Sequence, residues 1–89
     1  MKKKRELITP DRVAADDSAV EIIRVWALSE VQEMAIRQGF CEDPAEWGII
    51  LVDLARLISR SYDEDEDVQN QALERVKEGF DAEWEYPTD

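Results

Sequence analysis

Four acidic side chains in the last third of the chain have the spacing of a calcium-binding loop. Positions 1, 3, 5 and 12 of such a loop would be occupied by Asp63, Asp65, Asp67 and Glu74. A hard cation takes oxygen ligands at those positions, but the loop also needs a glycine at position 6 and an apolar residue at position 8. Val68 and Asn70 stand there instead. We therefore interpret the cluster as the acidic start of a helix and predict no metal site and no cofactor.

A pair of arginines could bind an anion. Arg56 and Arg60 lie one helical turn apart on a polar stripe with Asp53. Guanidinium groups at this spacing can hold a carboxylate or phosphate through paired hydrogen bonds. The other interpretation is a solvated stripe, or one paired with nearby acids such as Glu46. The three tryptophans could add an aromatic pocket or simply belong to the core, and they are Trp26, Trp47 and Trp84.

Nucleophilic and acid–base catalysis find little support in the composition. The sequence has no histidine and one cysteine, Cys41. The neighbouring carboxylates of Glu42 and Asp43 should raise the pKa of that thiol, and no histidine is there to activate it. There is no glycine-rich phosphate loop either. We predict that the protein is not an enzyme and has no catalytic residues.

The charge is concentrated at one end. The 89 residues carry a net charge of −11, of which −9 falls between Ser61 and Asp89. Phosphate backbones and anionic lipids would repel such a surface, so we expect neither nucleic-acid nor membrane binding. No apolar run approaches the roughly 20 residues of a membrane span. The basic cluster Lys2–Arg5 leads into polar residues rather than an apolar stretch, so it resembles a mobile tail rather than a secretory signal. We expect a cytoplasmic protein.

Residues 19–37 fit two structures equally well by pattern. Two runs rich in β-branched and aromatic residues, Val20–Leu28 and Val31–Arg37, indicate strands, although the break at Ser29-Glu30 lacks the Gly or Asn that favours a tight turn. A helix is indicated by the capping box Ser18-x-x-Glu21, by a possible stop at Gly39 and by apolar residues at helical spacing.

Two later helices are predicted more directly. Asp43-Pro44 supplies an N-cap and a proline at the first helical position, so one helix should run from Pro44 to about Tyr62. A second helix should run from about Asp65 to Trp84. Its apolar residues recur every four positions, at Val68, Ala72, Val76, Phe80 and Trp84.

The first of these helices has more apolar surface than a chain of this length can cover. A face of large side chains lies beside a face of small ones, which includes Ala45, Gly48, Val52 and Ala55. Small residues let another backbone approach closely, and polar side chains hold only about a third of the circumference. We predict a homodimer with these four residues at its interface, formed by packing of the first helices or by pairing of strand edges.

Three segments of the chain resemble a family of small bacterial proteins, domain-of-unknown-function family 5076. They are Ile23–Ala27, Asp43–Arg56 and Gly79–Trp84. The resemblance spans most of residues 6–89 and favours strands over a helix for residues 19–37. It implies no activity and no site residues, because the family is uncharacterised.

The sequence therefore predicts an α+β domain with a β-hairpin followed by two helices, with a three-helix bundle as the alternative. Residues 1–17 should be irregular and residues 18–89 should form the single domain. We expect a non-enzymatic interaction or adaptor module with an acidic helical surface and an unidentified protein partner. The competing hypothesis is a homodimer that binds a small ligand through Arg56, Arg60 and the tryptophans.

Overall fold

The computed structural model describes residues 6–88 and has the predicted α+β architecture, a two-stranded antiparallel hairpin followed by two helices. The alternative of a three-helix bundle is wrong. The elements are α1 (Asp11–Ala14), β1 (Ile23–Ala27), β2 (Gln32–Ile36), α2 (Pro44–Arg60) and α3 (Glu66–Glu85). The predicted basic tail, Lys2–Arg5, lies outside the described residues. Tertiary contacts divide the chain after Phe40 into a hairpin unit and a helical unit.

The hairpin has one apolar face and one mixed face. Ile23 lies opposite Ile36 and Val25 opposite Met34, so these side chains share a face because strand residues alternate. Trp26 opposite Glu33 belongs to the other face. Pairs of β-branched and long apolar residues across the strands stabilise this register, which a helix over the same residues would lose.

The turns of the hairpin unit differ from what the sequence indicated. Ser18 does not cap a helix, because its backbone N–H and its Oγ–H both donate to the Asp16 carboxylate, at 2.9 and 2.6 Å. The hairpin closes at Ser29-Glu30 without a glycine, through a 2.8 Å bond from the Leu28 N–H to the Val31 carbonyl. Gly39 does not stop a helix but has a φ of +79° in the turn after β2, a backbone conformation that glycine adopts without steric cost.

Both long helices begin at aspartates that cap them. The Asp43 carboxylate accepts from the Ala45 N–H at 2.9 Å, and the Asp65 carboxylate accepts from the Asp67 N–H at 2.7 Å. Each bond satisfies one of the N–H groups that the first turn of a helix leaves without a partner. The predicted starts are therefore confirmed to within one residue, and α2 ends two residues before the predicted Tyr62.

The helical unit is a helix pair joined by the short link 61–65. Ser59, which is 4% exposed, is the one buried residue of the described helical unit, and the half-buried residues are Cys41, Trp47, Ile50, Ala55, Gln69, Ala72, Leu73 and Val76. Small residues on both helices allow the backbones to approach closely there. No hydrophobic side chain among residues 6–88 is fully buried, so the described chain exposes much of its apolar surface.

Candidate functional site

A groove of about 840 Å³ runs between α2 and α3. The α2 residues along it include Trp47, Gly48, Leu51, Val52, Ala55 and Arg56. The α3 residues include Leu73, Val76, Lys77, Phe80, Asp81 and Trp84. Both sets recur at three- and four-residue intervals, so each is one face of its helix. Most of these side chains are apolar, and the groove is therefore a candidate binding surface of the helical unit.

The groove extends to the ends of the two helices that are farthest from the link in sequence, at Pro44 and Trp84. Nearer the link in sequence, Ser59 is buried and Ala55 and Ala72 are half-buried. Toward the other end stand the large Phe80 and Trp84, whose rings stack on one another. Phe80 is 50% exposed and Trp84 is 73% exposed. Apolar side chains this exposed are typical of a surface that contacts another molecule.

Four charged residues border the groove, and two of them pair with each other. The Lys77 ammonium lies 2.7 Å from the Asp81 carboxylate, a hydrogen bond that raises the pKa of Lys77. The other two are Arg56 on α2 and Glu74 on α3. Neither belongs to an ion pair within residues 6–88. The groove therefore offers one guanidinium and one carboxylate for contacts with a bound molecule.

The structure separates the residues that the sequence grouped as sites. Of the predicted interface residues, Gly48, Val52 and Ala55 line the groove and Ala45 does not. Arg56 lines it, whereas Arg60 stands one turn nearer the link and does not. The predicted arginine pair is thus not brought to one cavity. That these four residues form a dimer interface remains a prediction, and three of them line the groove.

The tryptophans are also divided. Trp47 and Trp84 line the groove, while Trp26 belongs to the hairpin, where the Arg24 guanidinium lies 5.6 Å from its ring centroid. Arg24 also donates to the Glu21 carboxylate at 2.7 Å, which lowers the pKa of Glu21. A shallow pocket of about 380 Å³ lies beside these side chains and Arg37. Arg37 donates to the Glu21 carbonyl at 2.8 Å, so both arginines already have acceptors.

The acidic cluster at the start of α3 is explained by turn and cap bonds. The Asp63 carboxylate accepts from the Asp65 N–H at 2.8 Å, and Asp65 caps α3. Over residues 6–88, no three cysteine, aspartate or glutamate side chains gather closely enough to hold a metal ion. The pKa of Cys41 is raised, as the sequence predicted. The main cause is burial and the second is Glu46, not the adjacent Glu42 or Asp43.

On the α3 side of the groove, sequence reasoning named only Trp84, as a possible ligand contact. It placed Val76 and Phe80 on the apolar face of α3 but not at a site. A signal was present, because the series Val76, Phe80, Trp84 continues to the end of α3 with increasingly large side chains. The pairing of Lys77 with Asp81 could also have been expected from their four-residue spacing.

Comparisons with known proteins find a family without an assigned function and a solved structure of similar fold. The sequence model of DUF5076, a domain of unknown function, matches residues 6–88. A solved structure described as "a putative pyruvate dehydrogenase" from the photosynthetic bacterium Rhodopseudomonas palustrus is 39% identical, with a TM-score of 0.76. That match covers 100% of this chain and 92% of the other. No curated protein matches the chain.

None of the helices in the described part of the chain is both long enough and apolar enough to span a membrane.

Proposed function

The chain belongs to the domain-of-unknown-function family DUF5076, and we propose that it is a non-enzymatic protein-interaction module that binds through its helix-pair groove. The observation that carries the proposal is the exposure of large apolar side chains along the groove, above all Phe80 and Trp84. Grooves of this kind accept the apolar face of another helix. The role fits a bacterial cytoplasmic adaptor.

The outer surface of α3 supports an adaptor role as a second contact surface. Between residues 61 and 89 the only basic residues are Arg75 and Lys77. Both form ion pairs on α3 itself, with Glu78 and Asp81. The remaining carboxylates of α3 are exposed and form no ion pair within residues 6–88. A partner with basic groups would be attracted to this surface, mainly through a faster association rate.

The interaction role can be tested by affinity capture from extracts of the producing bacterium, with the tagged full chain as bait. Three baits are compared: the wild type, Val52→Glu in the groove, and Ile49→Glu as a control. Val52 is 52% exposed and Ile49 is 64% exposed on the same helix, but Ile49 does not line the groove. We expect the wild type and Ile49→Glu to retain a specific protein and Val52→Glu to lose it. An untagged copy of the same chain counts as such a protein. If no bait retains anything above background, or if both variants lose it equally, the proposal is wrong.

A small-ligand role is the second candidate, and the volume of the groove favours it. About 840 Å³ falls within the range of roughly 300–1,000 Å³ that is typical of ligand pockets. Arg56, Trp47 and Trp84 could bind an aromatic anion there, without Arg60 or Trp26. Native mass spectrometry of the wild-type chain purified from its host would show the added mass of a bound small molecule. The same measurement on Arg56→Gln would show the chain without that added mass. If wild type and Arg56→Gln carry the same masses, this candidate is wrong.

We propose that the activity named for the Rhodopseudomonas palustrus structure does not extend to this chain. The sequence has no histidine, and the pKa of its one thiol is raised, which lowers the thiolate fraction. Cys41 does not line either cavity described above. Incubation of the purified chain with pyruvate and common electron acceptors should consume no pyruvate above a buffer blank. Consumption that scales with protein concentration would contradict the proposal.

A further inference from the structure

The groove is electrically neutral although the helical unit around it is strongly acidic. Residues 41–89 contain fifteen acidic and four basic side chains, a net charge of −11. Two of the four basic residues, Arg56 and Lys77, line the groove, against only two of the fifteen acids, Glu74 and Asp81. A basic partner would be bound best by a groove lined with acids. A neutral groove instead suits a partner that is itself neutral at the contact.

The two groove charges that form no ion pair within residues 6–88 have opposite signs and lie on different helices. Lys77 and Asp81 neutralise one another, which leaves Arg56 on α2 and Glu74 on α3. A two-fold interface is self-complementary, so that if Arg56 of one copy meets Glu74 of the other, the reverse pair forms as well. With one guanidinium and one carboxylate in each groove, two identical grooves that face each other can therefore form two ion pairs and leave no groove charge without a partner.

The exposed apolar side chains of the groove also supply part of the area that a dimer requires. An aromatic side chain presents about 150–250 Å², so Phe80 at 50% exposure and Trp84 at 73% leave on the order of 250 Å² uncovered. A specific interface takes roughly 800 Å² from each partner. Leu51 and Val52 add to the same surface, at 43% and 52% exposed. Four side chains thus supply a large part of one partner's share.

We propose that the groove is occupied by the groove of a second copy of this chain, so that two helix pairs form a four-helix assembly about a two-fold axis. This inference rests on the interaction role proposed above and names the partner. Gly48 and Val52 are small enough to let the second copy approach α2 closely. Arg56 of each copy pairs with Glu74 of the other, and the acidic outer surface of α3 remains open for a different protein.

The test is the molar mass of the purified full chain, measured by light scattering and by sedimentation equilibrium over a wide range of protein concentration. Wild type and Ile49→Glu should have twice the 10.3 kDa mass of one chain. Val52→Glu should be a monomer at concentrations where the control is a dimer. Circular dichroism checks that all variants keep their helices. A wild type that stays monomeric throughout would overturn the proposal, as would equal dissociation of the two variants.

A charge exchange tests the cross-pairing separately. Arg56→Glu and Glu74→Arg each place like charges at both symmetric contacts, and each should raise the dimer dissociation constant by about tenfold or more. The double variant restores opposite charges and should recover most of the affinity. If the loss of dimerisation free energy in the double variant equals the sum of the losses in the two single variants, the proposed pairing of Arg56 with Glu74 is wrong.

A wild type that is monomeric but still captures a host protein through the groove would contradict the second-copy proposal. The proposed interaction role would then still stand.

Discussion

The rings of Phe80 and Trp84 stack one turn apart on α3, with centroids separated by 5.6 Å and planes inclined by 20°. Residues four apart lie on the same face of a helix, so the stack is a local consequence of their spacing. Both rings border the groove and remain at least half exposed. The two rings therefore form one continuous apolar patch on α3 beside the groove.

A double-mutant cycle should detect this stack. Phe80→Ala, Trp84→Ala and the double variant should show a coupling free energy of about 0.5–1.5 kcal/mol, because stacked rings interact beyond their burial. Urea unfolding at one fixed protein concentration measures it. Val68→Ala combined with Trp84→Ala is the control and should be additive, since Val68 lies four turns away on α3. Additivity of the ring pair would contradict the stack.

The same substitution should change stability in opposite directions at two glycines. Gly79→Ala should raise the free energy of unfolding by about 1 kcal/mol, because Gly79 lies inside α3 and an added Cβ meets no atom within 4 Å. Gly39→Ala should lower it by about 1 kcal/mol, because the φ of +79° is unfavourable for alanine. Thermal and urea unfolding measure both. Gly39→Asn should cost less than Gly39→Ala, and an equal cost would argue against backbone strain as the cause.

Removal of the α2 cap should weaken the helical unit. Asp43→Ala leaves the Ala45 N–H without its acceptor and should lower the free energy of unfolding by about 1 kcal/mol. Asp43→Asn keeps an acceptor oxygen and should remain close to wild type. Glu42→Ala changes the charge next to the cap without touching the bond. Urea titration compares the three, and an equal loss for Glu42→Ala and Asp43→Ala would show that charge rather than capping is responsible.

The Cys41 thiol should ionise at a higher pH in the folded chain than in the unfolded one. Burial and the Glu46 carboxylate both raise its pKa, so the thiolate fraction at a given pH is lower in the folded state. The rate of alkylation as a function of pH, with and without denaturant, reports the two midpoints. Glu46→Gln should lower the folded midpoint but not abolish the difference, because burial is the larger cause. Glu42→Gln is the matched control and should leave the midpoint where it is. A larger effect of Glu42→Gln would contradict this assignment.

The helices were predictable because their signals are local. Asp43-Pro44 and Asp65 mark the starts of α2 and α3, and capping depends only on residues a few positions apart. Residues 19–37 were not predictable in this way. Ser18 could have capped a helix, and pairing of Ile23 with Ile36 competes with that local option through contacts distant in sequence. Pattern alone was evenly balanced, and the family resemblance gave the correct outcome.

By itself the sequence determined the order and type of the elements, the concentration of acid in the last third, and an excess of apolar surface on α2. These properties follow from neighbouring residues and from composition. Only the tertiary structure decided which residues share a site. Arg56 lines the groove and Arg60 does not, because the packing of α3 against α2 selects which turns of α2 border the cavity. The same packing brings Phe80 and Trp84 to the groove that Val52 also lines, a relation that spacing along one helix does not contain.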